Sequence, residues 1–347
     1  MTPYLALALQ TQCRTVNGCA TVAAARARML DGVERLHRQI RASKAFLGPD
    51  LRLVVLPEFV LTGYPLAETI PGWAEKAALA ADGPEYARLG AACRELGLYM
   101  SGNAYETDAH FPGLYFQTSF VIDAEGAVVL RYRRLVSMFA PTPHDLWDRY
   151  LEIYGIEGVF PVADTPLGRL ACIASEEILY PEIARTLALR GAELFLHSTS
   201  EVGSPALTPK DVAKRARAYE NSAYVISANT AGFADTELPA QSADGMSKIV
   251  DYLGEVRVEA GFGESMAAAA VVDLNALRRH RLRPGMGNLL SRQRLECFSA
   301  TYSGSVHPAN SLLDANGRPF VPERRHFVTM QQRVLAALRE RGVLGAE

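Results

Sequence analysis

Apolar runs of strand length alternate with longer stretches of helical periodicity through most of the chain. Tyr4–Leu9 is the first such run, and an Ala- and Arg-rich segment from about Val22 to Ser43 repeats its apolar positions at helical spacing. Leu53–Leu56 is apolar on both faces and stops at Pro57, as a central strand between two layers would, which leaves Glu58 at a strand's carboxyl end. A helix is expected over Glu85–Leu96, then strands near Leu98–Ser101 and Gln117–Ile122. The second of these turns through Asp123–Gly126 into Ala127–Tyr132 as a hairpin.

The second half repeats the alternation. Leu170–Ala174 reads as a buried strand, Pro181–Arg190 as a helix ended by Gly191, and Leu194–His197 as the next strand. Thr208, Pro209 and Asp211 start a helix that runs to about Asn221, and strands follow at Ala223–Ala228, Met246–Asp251 and Ala267–Val272. The class is therefore α/β. From about Arg283 the texture turns to Ser, Gly, Pro and Asn, with one helix near Thr329–Arg341. The division expected is a domain over 1–283 and a C-terminal extension over 284–347 that serves oligomerisation or covers a pocket. Periodicity places nothing in Met138–Tyr154.

Composition narrows the function classes. A chain of 347 residues with net charge −2 and 49% hydrophobic residues buries a full core without disulfides or a structural metal. Near-neutral charge supplies no counterion-release drive toward nucleic acid. The five cysteines are scattered without a CxxC pair, and the N-terminal apolar stretch is too short for a membrane span and lacks a basic leader. A reduced, cytoplasmic protein with neither a nucleic-acid nor a membrane partner is the expectation. The seven histidines show no HxH or HExxH spacing, and the glycines around Gly254–Gly263 do not form a phosphate loop, so neither a metal nor a cofactor is indicated. Only five of the 36 basic residues are lysines, and none lies between Lys76 and Lys210.

Leu56-Pro57-Glu58-Phe59 followed by Leu61-Thr62-Gly63-Tyr64-Pro65 resembles the glutamate segment of the nitrilase or carbon–nitrogen hydrolase superfamily. Three further segments match in order. They are Asp123–Gly126 leading into Arg131-Tyr132-Arg133-Arg134, Gly168–Glu182, and Arg215–Asn221 before Ala223–Asn229, so that the resemblance covers roughly 4–282. It implies an α-β-β-α sandwich and hydrolysis of nitriles, amides or carbamoyl groups by a Glu, Lys and Cys triad. In that scheme the glutamate is the base, the lysine steadies the tetrahedral intermediate and the cysteine attacks. It also implies a homodimer or a larger homo-oligomer.

Two of the three positions differ in type. The family's cysteine segment carries a glycine seven residues before the nucleophile and a Pro-Glu pair starting six after it. Gly168 and Pro181-Glu182 converge on Ser175, while Cys172 falls inside the strand. After the aromatic–basic pair of the hairpin, Arg134 stands where lysine is expected, and no lysine near it in the chain can substitute. Serine is a far weaker acid than cysteine and needs a well-matched base; arginine keeps the charge but cannot surrender a proton. The flanks of Ser175 lack the glycines of a GxSxG elbow.

Around these three, Glu176 and Glu177 are expected to contact substrate. Asp148 lies near the place where many family amidases position substrate with an extra glutamate, and Thr142 replaces a glutamate of some aliphatic amidases. Solvated-loop readings stand beside both. Glu58 has a plain alternative as a loop-capping carboxylate, and Arg134 as a structural ion pair. Three functions remain open: hydrolysis of a small amide, nitrile or carbamoyl compound by Glu58, Arg134 and Ser175; a pseudoenzyme that binds a small ligand or serves assembly; and acid–base dehydration, elimination or isomerisation using Glu58 and Arg134.

Overall fold

Alternation decides the layers. In the strand Tyr4–Ala8, residues Tyr4, Ala6 and Ala8 pack in one core cluster with the strands of a second sheet, while Leu7 joins the opposite cluster under the long helix Val22–Leu47. In the computed structural model, which describes residues 2–204 and 206–345, this produces two six-stranded sheets face to face with helices on their outer faces. The α-β-β-α sandwich is the architecture expected.

The first sheet runs, in spatial order, Ala269–Val272, Tyr4–Ala8, Leu51–Val55, Tyr99–Thr107, Tyr115–Ile122, Val128–Arg133. The second runs Val256–Glu259, Lys248–Val250, Tyr224–Ala228, Leu194–Ser198, Gly168–Ala174, Ala163–Thr165. Each has three parallel strands at its centre and antiparallel strands outside them. The helix Val22–Leu47 is capped by Thr21, whose hydroxyl accepts from the Ala24 amide, and lays Met29, Val33, Leu36 and Ile40 on the first sheet. The helix Pro84–Leu96, on the same side, ends at Gly97 with φ of +57°, a left-handed cap that glycine adopts without strain. The helices Pro181–Leu189 and Pro209–Asn221 cover the second sheet with Ile183, Ala184, Leu187, Ala213 and Ala218.

Several elements escape the periodicity. The span Met138–Tyr154 holds a short 3₁₀ turn, Pro143–Leu146, and then the helix Trp147–Val159, whose period is broken where Gly155 takes φ of +61°. The helix Ile70–Ala77 has only eight residues, too few for its period to register. Ala163–Thr165 and Val256–Glu259 are short edge strands facing water, so they carry no apolar run. The extension lies against the body of the protein. Leu312 and Phe327 are buried in the first sheet's outer core, and Arg324 Nη1 donates to the Phe139 carbonyl at 2.9 Å.

Candidate active site

The central parallel strands of both sheets end on the same edge of the sandwich, the usual location for a site in parallel sheets. Two bonds stitch the sheets together there: Ser198 Oγ donates to the Leu56 carbonyl at 2.8 Å, and the Glu58 amide donates to the Thr199 carbonyl at 3.3 Å. Pro57 has no N–H to continue the ladder, so the chain leaves the sheet at this point. The Glu58 side chain is 2% exposed.

Its carboxylate is held from three directions. Oε1 accepts from Gln117 Nε2 at 2.5 Å and lies 3.5 Å from Arg134 Nη1, and Oε2 accepts from Ser200 Oγ at 2.6 Å. The Arg134 fork is equally committed. Nε donates to the Val136 carbonyl at 2.5 Å, Nη1 to Gln117 Oε1 at 2.8 Å, and Nη2 pairs with Glu176. Burial alone would lower the guanidinium's pKa, but Glu58, Glu176 and Glu177 together hold it above the ordinary arginine value.

Ser175 opens a 3₁₀ turn, Ser175–Leu179, directly after the strand Gly168–Ala174. Its backbone sits at φ of +49°, a conformation that costs a non-glycine residue about 1–3 kcal/mol and persists only where the surroundings impose it. Those surroundings are visible: the Ser175 carbonyl lies 2.8 Å from His197 Nε2, and His197 Nδ1 lies 2.8 Å from Ser227 Oγ. Burial, then the nearby Lys214 cation, pushes His197 well below its usual pKa, so it acts as a neutral brace. The serine hydroxyl is met by Lys210 Nζ at 3.4 Å, and the same ammonium nitrogen lies 3.3 Å from Thr199 Oγ1.

Glu58, Arg134 and Glu176 thus fall in one network, and Ser175 is the chain neighbour of Glu176. One expected substrate contact requires correction. Glu177 is fully buried, and both its oxygens are occupied. Oε1 accepts from the Leu135 and Val136 amides at 2.6 and 3.1 Å, and Oε2 from Tyr132 Oη and the Ala174 amide at 2.7 and 3.2 Å. It is a clamp between the Arg134 segment and the Ser175 turn, with burial pushing its carboxyl up to about 7. Asp148 is exposed on the first turn of Trp147–Val159, where its amide donates to Asn310 Oδ1. Thr142 caps the turn Pro143–Leu146 in a reciprocal box with Asp145.

Gln117, Ser200, Thr199, His197 and Lys210 were not singled out by sequence reasoning. Lys210 carried a signal, being a basic residue in the first turn of a helix, where the dipole disfavours it. No thiol competes for the role of nucleophile beside Glu58. Cys172 lies between the sheets, 3.8 Å from Ser101 Oγ, and burial pushes its thiol up to about 12; Cys13, bonded to the Phe59 carbonyl, is likewise pushed up to about 12 by burial. Among the described residues no group of three or more His, Cys, Asp or Glu is placed to hold a metal ion, and no helix is long and apolar enough to cross a membrane.

A buried carboxylate paired with a cation and a hydroxyl on a left-handed residue thus stand at strand ends of the two sheets. The chain belongs to the carbon–nitrogen hydrolase family, whose sequence model matches residues 12–281, and so stands among hydrolases of carbon–nitrogen bonds other than peptide bonds. A Pseudomonas protegens protein described as a hydrolase in the pqqF 5′ region is 30% identical over 240 residues, covering 69% of this chain and 73% of that one. A formamidase of Bacillus thuringiensis is 28% identical over 206 residues, and the match spans 58% of this chain and only 56% of the formamidase. Among solved structures, Nit3 of Saccharomyces cerevisiae, from branch 10 of the nitrilase superfamily, superposes with a TM-score of 0.63 at 18% identity over 80% of this chain and 93% of that one. A carbon–nitrogen hydrolase of Helicobacter pylori G27 gives 0.64 at 19% identity over 87% and 99%. An amidase of Nesterenkonia sp. AN1, in which acrylamide adds to an active-site cysteine, gives 0.57 at 19% identity over 86% and 99%. These likenesses establish the nitrilase-superfamily fold.

Proposed function

We propose that the protein hydrolyses a small amide with a non-standard triad in which Glu58, Arg134 and Ser175 occupy the positions of the family's Glu, Lys and Cys. The observation that carries this reading is Ser175, a hydroxyl presented from a left-handed backbone at a strand's carboxyl end, on the edge where Glu58 arrives from the other sheet. Ser175 Oγ attacks the amide carbon, an O–C bond forms, and collapse of the tetrahedral adduct breaks the C–N bond as the hydroxyl proton passes to the leaving nitrogen. Water then cleaves the ester and restores the hydroxyl. Glu58, with Gln117, Ser200 and Arg134 fixing its carboxylate, keeps one lone pair on Oε2 to hold the substrate amide or the attacking water. Glu176, whose side chain is 36% exposed, pairs with Arg134. A small substrate agrees with the amidase and formamidase relatives.

The test is ammonia release from formamide, acetamide and larger aliphatic and aromatic amides by the unaltered protein, Ser175→Ala and Glu58→Gln. Turnover lost in both variants supports the triad; turnover that survives Ser175→Ala overturns it. A second reading, ligand binding without turnover, is favoured by one observation: every Arg134 nitrogen is already engaged by protein acceptors. Saturable binding of an amide by calorimetry with no ammonia formed would establish that reading instead.

A further inference from the structure

We propose that Lys210 is the proton-transfer partner of Ser175, so that nucleophile and base form a serine–lysine pair between the 3₁₀ turn Ser175–Leu179 and the helix Pro209–Asn221. The inference rests on the reading of Ser175 as the nucleophile and adds the group that activates it.

A serine hydroxyl needs a base within reach, and Glu58 and Arg134 are poor candidates. Glu58 accepts hydrogen bonds from Gln117 and Ser200 and faces Arg134; Arg134 has no proton to surrender. Lys210 Nζ lies 3.4 Å from Ser175 Oγ and 3.3 Å from Thr199 Oγ1, so a second hydroxyl steadies the amine against the first. Among the described residues Lys210 has no carboxylate within ion-pair distance. Lys76, Lys214 and Lys248 do: Lys76 pairs with Glu68, Lys214 with Glu201, and Lys248 with Asp211 and Glu259.

Its place at a helix start is one that the helix dipole disfavours for a cation. Lys210 is the second residue of the helix Pro209–Asn221, at the positive end of the helix dipole, and Lys214 stands one turn further along the helix. A reciprocal box between Thr208 and Asp211 fixes where the helix begins, and so where the lysine stem emerges. The lysine absent from the end of the hairpin is thus replaced by one reached through space.

The step balances. As Ser175 Oγ bonds to the amide carbon, the Nζ lone pair takes the hydroxyl proton; as the C–N bond breaks, Nζ returns that proton to the leaving nitrogen. In the second half water attacks the ester, its proton passes to Nζ, and Nζ hands it to Oγ as the acid departs.

The experiment measures acylation of Ser175 by p-nitrophenyl acetate, followed by nitrophenolate release and by the mass of the Ser175 peptide, in the unaltered protein, Lys210→Ala and Lys210→Arg. Thermal unfolding of each variant confirms that it is folded. Both substitutions are expected to slow acylation by roughly 10²- to 10⁴-fold, and methylamine is expected to restore the rate of Lys210→Ala. Retention by Lys210→Arg of more than about a tenth of the rate would show that only charge is needed and would overturn the inference, as would an unimpaired Lys210→Ala. In either case the Ser175 reading survives. If the unaltered protein leaves Ser175 unacylated, that reading falls and the lysine's role falls with it.

Discussion

Replacing Glu177 with glutamine tests how the two halves of the site are held in register. The carboxyl is fully buried, and burial moves it from an ordinary value of 4.5 to about 7 against the opposing pull of Arg134, the Tyr132 hydroxyl and the Leu135 and Val136 amides. Between those two values the native state holds a proton that the unfolded chain has lost. The contribution of Glu177 is therefore greatest below the unfolded value and declines as pH rises through the folded one. At about 1.4 kcal/mol per unit, the loss sums to about 3.5 kcal/mol over the whole titration. Glutamine cannot ionise. Its oxygen can still serve the Leu135 and Val136 amides, but its NH₂ group meets the Ala174 amide, donor against donor, at a cost of about 1–3 kcal/mol. Urea unfolding of both proteins from pH 5 to pH 8 should show the variant less stable by about 1–3 kcal/mol at pH 5 and the difference shifting by about 2.5 kcal/mol in the variant's favour by pH 8. His197 titrates alike in both, so the difference between the curves isolates Glu177. A gap that stays constant across the range would refute the reasoning.

Three further outcomes are expected. Ser175→Gly relieves the left-handed strain and should stabilise the fold by about 1 kcal/mol while abolishing ammonia release, measured by urea midpoint and turnover together; a destabilised variant would show that the serine is not strained. Arg134→Met strands the buried Glu58 carboxylate and should cost about 3–5 kcal/mol near neutral pH, checked by denaturant titration. Phe327→Ala should cost about 3 kcal/mol and raise protease sensitivity within the extension, because Phe327 is buried in the first sheet's outer core.

Much of the architecture was legible because its cause is local. Leu53–Leu56 ending at Pro57, the Thr208 start of a helix and the Asp123–Gly126 turn each declare themselves within a few residues, and the corresponding elements form. The helix Trp147–Val159 was hidden because Gly155 interrupts its period, and the edge strands because they bury little. The site was legible only where it followed the chain. Glu58, Arg134 and Glu176 can be placed from motifs, and they meet. Glu177 could not be told from a substrate ligand, since the donors that occupy it come from the hairpin's end and from the strand before it. Lys210 was out of reach for the same reason: 35 residues of chain separate it from Ser175, and only the sheet's parallel order brings it back.

Glu58 and Ser175 follow strands of different sheets, and the layer between those sheets holds small side chains. Ala8, Ser101, Cys172 and Ala174 are small and fully buried there. Facing sheets ordinarily stand about 10 Å apart, a spacing set by the side chains between them. This interior layer therefore works as a shim that sets the gap between Glu58 and Ser175. A bulkier shim, such as Cys172→Leu, would change the distance between Glu58 and Ser175 without altering either, so the geometry of that edge can be adjusted from a layer buried beneath it.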